Sequence, residues 1–143
     1  MNLRLALISA AAVAALAAAP VALAKPFKWS SASDIPTLDI HSQNNALGNG
    51  VHASIYEALV YYNSQTFKPE AQLATSWREV SPTQVRFTLR QGVKFSDGTP
   101  LAADDVVYSI HRAMAKSSNY AVYTQGIDKV VKVNDNTVDF MMK

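Results

Sequence analysis

The chain of 143 residues has no cysteine. That absence excludes disulfide staples, so the fold has to be held by an ordinary apolar core. It also excludes anchoring through a lipidated cysteine. Net charge is nearly absent too, with 13 Lys and Arg against 11 Asp and Glu. No basic face follows from that balance, and neither nucleic-acid nor membrane-surface binding is expected. Histidine is scarce, at His41, His52 and His111 only. These three come without a thiolate, a His-x-x-x-His spacing or a well-placed glutamate, so no metal site is expected.

Charge is scarcest at the start. Met1 to Ala24 carries one charged side chain, Arg4, followed by a run of Ala, Leu, Ile and Val that ends Pro20-Val21-Ala22-Leu23-Ala24. A basic n-region, an apolar h-region and small residues at Ala22 and Ala24 build a secretory signal cleaved after Ala24. The alternative is a membrane anchor over Leu5 to Ala24, which is just long enough to span a bilayer. The excess of Ala over Leu, the interruption at Pro20 and the small-x-small ending favour cleavage. Loss of Arg4 leaves twelve Lys and Arg against eleven Asp and Glu, a net charge of +1.

The remainder alternates between strand and helix patterns. Phe27-Lys28-Trp29 is a short strand candidate, and His41 to Gly50 is a polar loop rich in Asn, Gln and Gly, long enough to carry function. Val51, Ile55, Ala58 and Leu59 fall on one helical face, and Tyr61-Tyr62 followed by Asn63 to Pro69 ends that helix in a loop. Trp77–Val80 and Gln84–Arg90 read as a hairpin, the second strand alternating Val85, Phe87 and Leu89 with Arg86, Thr88 and Arg90. Ser96-Asp97-Gly98-Thr99-Pro100 is a turn. Asp104 to Met114 is a helix with Val106, Ile110, Ala113 and Met114 inward and two acids at its positive end. Val130–Val133 and Thr137–Met142 bracket a tight turn at Asn134-Asp135-Asn136. Phe87 and Phe95 are expected in the core, with Trp77 beside them.

Catalytic patterns are missing. Gly48 and Gly50 lack the third glycine and the strand–turn context of a dinucleotide fingerprint, and no nucleophile elbow marks a triad. Asp97 reads as a turn residue and Asp104-Asp105 as a helix start. Tyr120 and Tyr123, in the polar connection Ser117 to Gly126, are candidates to face a ligand groove.

Four stretches carry a resemblance: Leu73-Ala74-Thr75-Ser76-Trp77, Phe87-Thr88-Leu89-Arg90, Gly92 to Pro100, and Ala103-Asp104-Asp105-Val106-Val107-Tyr108-Ser109, with Thr37-Leu38-Asp39 and Ile55 to Leu59 before them. Together they resemble the hallmark region of family 5 extracellular solute-binding proteins, the peptide- and nickel-binding components of ABC importers. The resemblance implies an α/β fold of the type II periplasmic-binding-protein kind, with two lobes closing on a ligand and an extra subdomain on the first lobe. Residues 1–24 would be the signal, 25–58 the start of the ligand-binding lobe, and 59–143 an incomplete α+β subdomain. The chain is expected to be the amino-terminal piece of a longer protein.

By the same resemblance, the loop after the Leu-Asp pair runs beside a bound peptide, which places Asn44, Asn45 and Ala46 at the contact positions. A tyrosine after the long helix would approach the ligand, Tyr120 first and Tyr123 second. The chain departs from the family pattern at Ile40, where many relatives have Pro, and at Ala102, which lacks a capping side chain. Such a loss costs about 0.5–2 kcal/mol, and Thr99 is the candidate substitute. The implied function is capture of short peptides in the periplasm and delivery to an inner-membrane ABC permease, by a monomer without a cofactor and without enzymatic activity. Nickel chelates, glutathione, opines and oligosaccharides are the alternative ligands. An exported hydrolase and a truncated remnant without transport activity are the alternative classes. Expressed alone, the segment is expected to show no saturable peptide binding, an expectation that calorimetric detection of micromolar binding would overturn.

Overall fold

In the computed structural model the described residues are 26–28 and 30–143, and the fold lies in Ser33–Lys143. The expected leader and the expected cleavage junction after Ala24 fall outside the described residues. No helix among the described residues is long and apolar enough to cross a membrane.

Alternation of apolar and polar residues forms the sheet. Strands β3 (Ala74–Ser81) and β4 (Gln84–Leu89) make the expected hairpin, and β5 (Ile127–Asn134) and β6 (Thr137–Met142) make a second one around Asp135-Asn136. The hairpins join through β4 and β6, giving the all-antiparallel order β3-β4-β6-β5. The register sets Val85 opposite Phe140 and Phe87 opposite Val138. These side chains therefore share a face, which packs with Leu89, Val130, Ala103 and Val106 as one core. Full burial of each large apolar side chain contributes about 1.5–3 kcal/mol.

The opposite face carries Arg86 across from Asp139. Asp139 is only 4% exposed, and its carboxylate accepts two bonds from Arg86 and one from Gln84, all at 2.7 Å. Those partners satisfy a charge that would otherwise be costly to bury, and the Arg86 bonds hold its pKa below the ordinary carboxylate value.

The long helix, Ala103–Met114, buries Val106 and Ala113 and half-buries Ile110 and Met114, the inward stripe expected from the sequence. Its first N–H groups find partners outside a capping side chain. Ala103 N donates to Asp135 O of the β5–β6 turn, and Ala102 N donates to Asp105 Oδ2. Thr99 does not stand in for the missing cap: among the described residues no N–H of the helix donates to its hydroxyl, which itself donates to Asp97 Oδ1 at 2.7 Å within the preceding turn. Asp97 also accepts from Thr99 N, which closes the turn around Gly98 at φ +88°.

Several expectations are overturned. Of the short strand expected at Phe27-Lys28-Trp29, Phe27 and Lys28 are exposed and in no strand, and Trp29 lies outside the described residues. The loop His41–Gly50 ends early, because Asn45 caps a short helix, α1 (Ala46–His52); the long helix above is accordingly α2. The helix expected from Val51 through Leu59 stops at His52, so His52 is the last helical residue and not the second. Long-range pairing wins there: Leu73 N donates to Ala58 O, and Gln72 N and Ala74 N donate to Leu59 O. The expected loop after Tyr62 is a hairpin of β1 (Val60–Asn63) and β2 (Lys68–Ala71), tied by Asn63 Oδ1 accepting from Gln65 N and Thr66 N. Phe95 is not core. It sits in the Gly92–Pro100 turn at 44% exposure, since a segment folded back on itself leaves no sheet face beneath that side chain. Phe87 does pack on the core, tilted against Phe140 at 5.0 Å, and Trp77 stacks on it at 6.4 Å.

Candidate functional site

Asp39 organises the segment leading to α1. Its Oδ1 accepts from His41 N at 3.1 Å, its carbonyl accepts from Ser42 N, and its own N–H donates to Thr37 Oγ1 at 3.0 Å. The turn is then clasped from across the chain. Arg112, in the last turn of α2, makes a two-pronged ion pair with Asp39, its Nη1 lying 2.7 Å from Oδ1. The bonds from Arg112 hold the Asp39 carboxyl well below the usual range. Arg112 Nη1 is also 3.0 Å from His41 Nδ1. A guanidinium can only donate, so this nitrogen accepts and the ring proton is on Nε2. Asn119 adds two bonds, from its N–H to His41 O at 2.9 Å and from Nδ2 to Ser42 O at 2.6 Å.

This clasp lays the segment 43–49 against the connection after α2. Asn45 caps α1, with Oδ1 accepting from Gly48 N at 2.8 Å. A Cβ on Gly48 would meet that oxygen at 3.3 Å, which explains the small residue there. One turn of helix places Asn49 beside Asn44. A chain of neutral polar groups results: Tyr120 O–H donates to Asn49 Oδ1 at 2.7 Å, Asn49 Nδ2 donates to Asn44 Oδ1 at 3.2 Å, and Asn44 Nδ2 donates to Tyr123 Oη at 3.2 Å. The two phenol rings lie 5.9 Å apart on a 3-10 turn, Ala121–Thr124, that begins beside Tyr120.

Of the five residues singled out from the sequence, the structure brings Asn44, Tyr120 and Tyr123 together. Asn45 is turned to its capping role and to Gln43 Oε1, and Ala46 is exposed at the first position of α1 with only its backbone to offer. Asn49, Asp39 and Arg112 were missed. Recognising Asn45 as a helix cap would have revealed Asn49, because it fixes which residue lies one turn on. The Asp39–Arg112 pair spans 73 positions and has no local signal.

Chemically, the chain offers amide and phenol groups without charge. Each Asn NH₂ has a second donor hydrogen, and the Tyr123 hydroxyl hydrogen has no acceptor among the described residues. Burial pushes the Tyr120 pKa up, which keeps that phenol neutral. Tyr123 is 69% exposed and Asn44 and Asn49 are exposed, so the groups face outward as one wall. A recess of about 210 Å³ adjoins the clasp, lined by His41, Tyr56, Glu57, Tyr108 and Arg112 among others. The histidines do separate things: His41 bonds Arg112, His52 is buried, and His111 is exposed on α2. Among the described residues no three or more His, Asp or Glu side chains are grouped so as to hold a metal ion.

Residues 68–143 match the profile described as "Bacterial extracellular solute-binding proteins, family 5 Middle". The periplasmic oligopeptide-binding protein OppA of Escherichia coli K12 is 29% identical over an alignment covering 96% of this chain and 28% of that protein. Among solved structures, MoaA of A. tumefaciens R10 in complex with mannopinic acid is similar with a TM-score of 0.70 and 31% identity, over 77% of this chain and 24% of that one. AppA of Bacillus subtilis in complex with a nonapeptide is similar with a TM-score of 0.64 and 26% identity, over 73% of this chain and 21% of that one. The chain thus spans under a third of the length of these relatives.

Proposed function

The chain belongs to the bacterial extracellular solute-binding proteins of family 5, and on that premise we propose that the Asn44–Asn49–Tyr120–Tyr123 surface is the wall it presents to a short peptide. One observation carries the reading: residues from two segments more than seventy positions apart converge into a row of neutral donors and acceptors. An extended peptide presents N–H and C=O groups at regular intervals whatever its side chains, and such a row pairs with them without demanding a charge. In this reading residues 25–58 open the ligand-binding lobe, and 59–143 form an added subdomain. Cleavage after Ala24 releases the protein into the periplasm, and the loaded form hands its peptide to an ABC permease.

The likeness to a structure holding mannopinic acid supports a second reading, in which the solute is an opine. The two are separated by one experiment. The isotope-labelled chain is titrated with trialanine and, separately, with mannopinic acid while side-chain amide and aromatic resonances are followed. Because the wall is open, we expect trialanine to bind at millimolar concentration, with shifts confined to Asn44, Asn49, Tyr120, Tyr123 and their neighbours. Shifts with mannopinic acid alone replace the peptide by the opine. No shift at these residues with either compound overturns the assignment of the site.

A further inference from the structure

The ionisable ring that touches the Asn–Tyr chain is His41. It packs edge-on against Tyr120, with ring centroids 6.2 Å apart and planes at 75°, while its Nδ1 accepts from Arg112. Tyr120 in turn holds Asn49. Resting on the reading that this chain meets the solute, we infer that neutral His41 is a positioning residue for the site, and that its protonation loosens the Asn44–Asn49–Tyr120–Tyr123 chain.

The chemistry is that of donors and acceptors. A neutral imidazole offers Nδ1 as an acceptor, which is what the guanidinium of Arg112 requires. An imidazolium has only donors, so protonation sets donor against donor and brings two cations to about the length of a hydrogen bond. The backbone carbonyl of His41 accepts from Asn119 N, one residue before Tyr120, so displacing the ring also pulls on the connection that carries both tyrosines.

The groups facing the ring come from several elements. Asp39 lies on its own turn, Arg112 on α2 and Tyr120 on the connection, and Tyr56, Glu57 and Tyr108 surround the adjoining recess. Glu57 is engaged by Arg90 at 3.2 Å. Both oxygens of Asp39 are engaged by Arg112, and that carboxylate keeps its charge far below the range in which imidazoles titrate. Burial, and next the Arg112 charge, lower the His41 pKa from its ordinary 6.5, with Asp39 opposing. The sign follows. A histidine depressed by folding is held neutral, so its contribution is fully present above about 6.5 and is lost as the pH falls through the lowered value.

The test is a pH titration of the full chain by NMR, from about pH 7.5 to about pH 5, following the His41 ring and the side-chain amides of Asn44 and Asn49. The expected result is a shared midpoint below 6.5 that disappears from the amides in His41→Gln, a neutral replacement. Amides that stay flat while His41 titrates, or that respond equally in His41→Gln, overturn the inference. Arg112→Gln supplies a second reading should the first variant not fold. Removing the cation should raise the His41 midpoint, and an unchanged midpoint overturns the proposed contact. Trialanine affinity, measured over the same range, should fall with the amide midpoint. Amides that follow His41 in a chain that never responds to trialanine leave the His41 role standing and remove the peptide reading. Trialanine binding that is insensitive to pH while the amides respond overturns the positioning role.

Discussion

Asp39 and Asp97 show how far a single side chain can be read in advance. Asp97 closes a turn two residues long, with Thr99 N and Thr99 Oγ1 both on one oxygen, and its neighbours Gly98 and Pro100 announce that turn. Asp39 makes a similar local bond to His41 N, yet its main partner, Arg112, lies on another element. Local geometry was legible in the sequence; the long-range partner was not. His52 is a further case. It is 2% exposed, and among the described residues neither ring nitrogen has a hydrogen-bond partner, although its ring packs edge-on against Tyr56 at 5.9 Å. An unsatisfied buried polar group costs about 1–3 kcal/mol. His52→Leu should therefore raise the thermal midpoint by a few degrees, since about 1 kcal/mol moves a domain of 60–100 residues by roughly 4–8 °C and one of 150–250 residues by roughly 2–4 °C, and this chain falls between the two. A fall of the same size in a thermal melt would show that the ring is satisfied in solution.

At the scale of elements, the periodicity of α2 and the alternation of β4 were strong enough to stand. Val106, Ile110, Ala113 and Met114 turn inward as spaced, and Val85, Phe87 and Leu89 share the sheet face opposite Arg86, with Phe87 and Leu89 packed in the core. The pattern at Val51, Ile55 and Leu59 was equally helical and failed. Only Leu59 reaches the core, as the start of a backbone ladder with Gln72 and Ala74, while Ile55 is exposed. Periodicity measures which faces could be apolar; it does not measure the competing ladder. The start of α2 offers a quantitative check. Ala102 has a methyl where a capping oxygen belongs, although Asp105 already reaches back to the Ala102 N–H at 2.8 Å. Ala102→Ser completes the reciprocal pair and should stabilise the fold by about 1 kcal/mol, within the range of about 0.5–2 kcal/mol found for such caps. The urea midpoint measures it, and no increase would mean that the Asp135 and Asp105 contacts already satisfy the helix end.

For the molecule as a whole, resemblance identified more than pattern did. The family was recognisable from spaced motifs at Leu73–Trp77, Gly92–Pro100 and Ala103–Ser109, and residues 68–143 match its profile. The mixed α/β architecture agrees with that of its solved relatives over part of their length. What no pattern conveyed was the clasp of Asp39, His41 and Arg112, which brings the segment 43–49 to Tyr120 and Tyr123 and makes one surface of two distant segments. The central claim is that solute meets the protein on that surface. Paramagnetic broadening by spin-labelled trialanine tests it most directly, because the label reports where the peptide sits. The account predicts selective loss of the signals of Asn44, Asn49, Tyr120 and Tyr123, with Arg78, Arg86 and Asp139 of the sheet unaffected. Broadening centred on that sheet, with the tyrosines untouched, would contradict it.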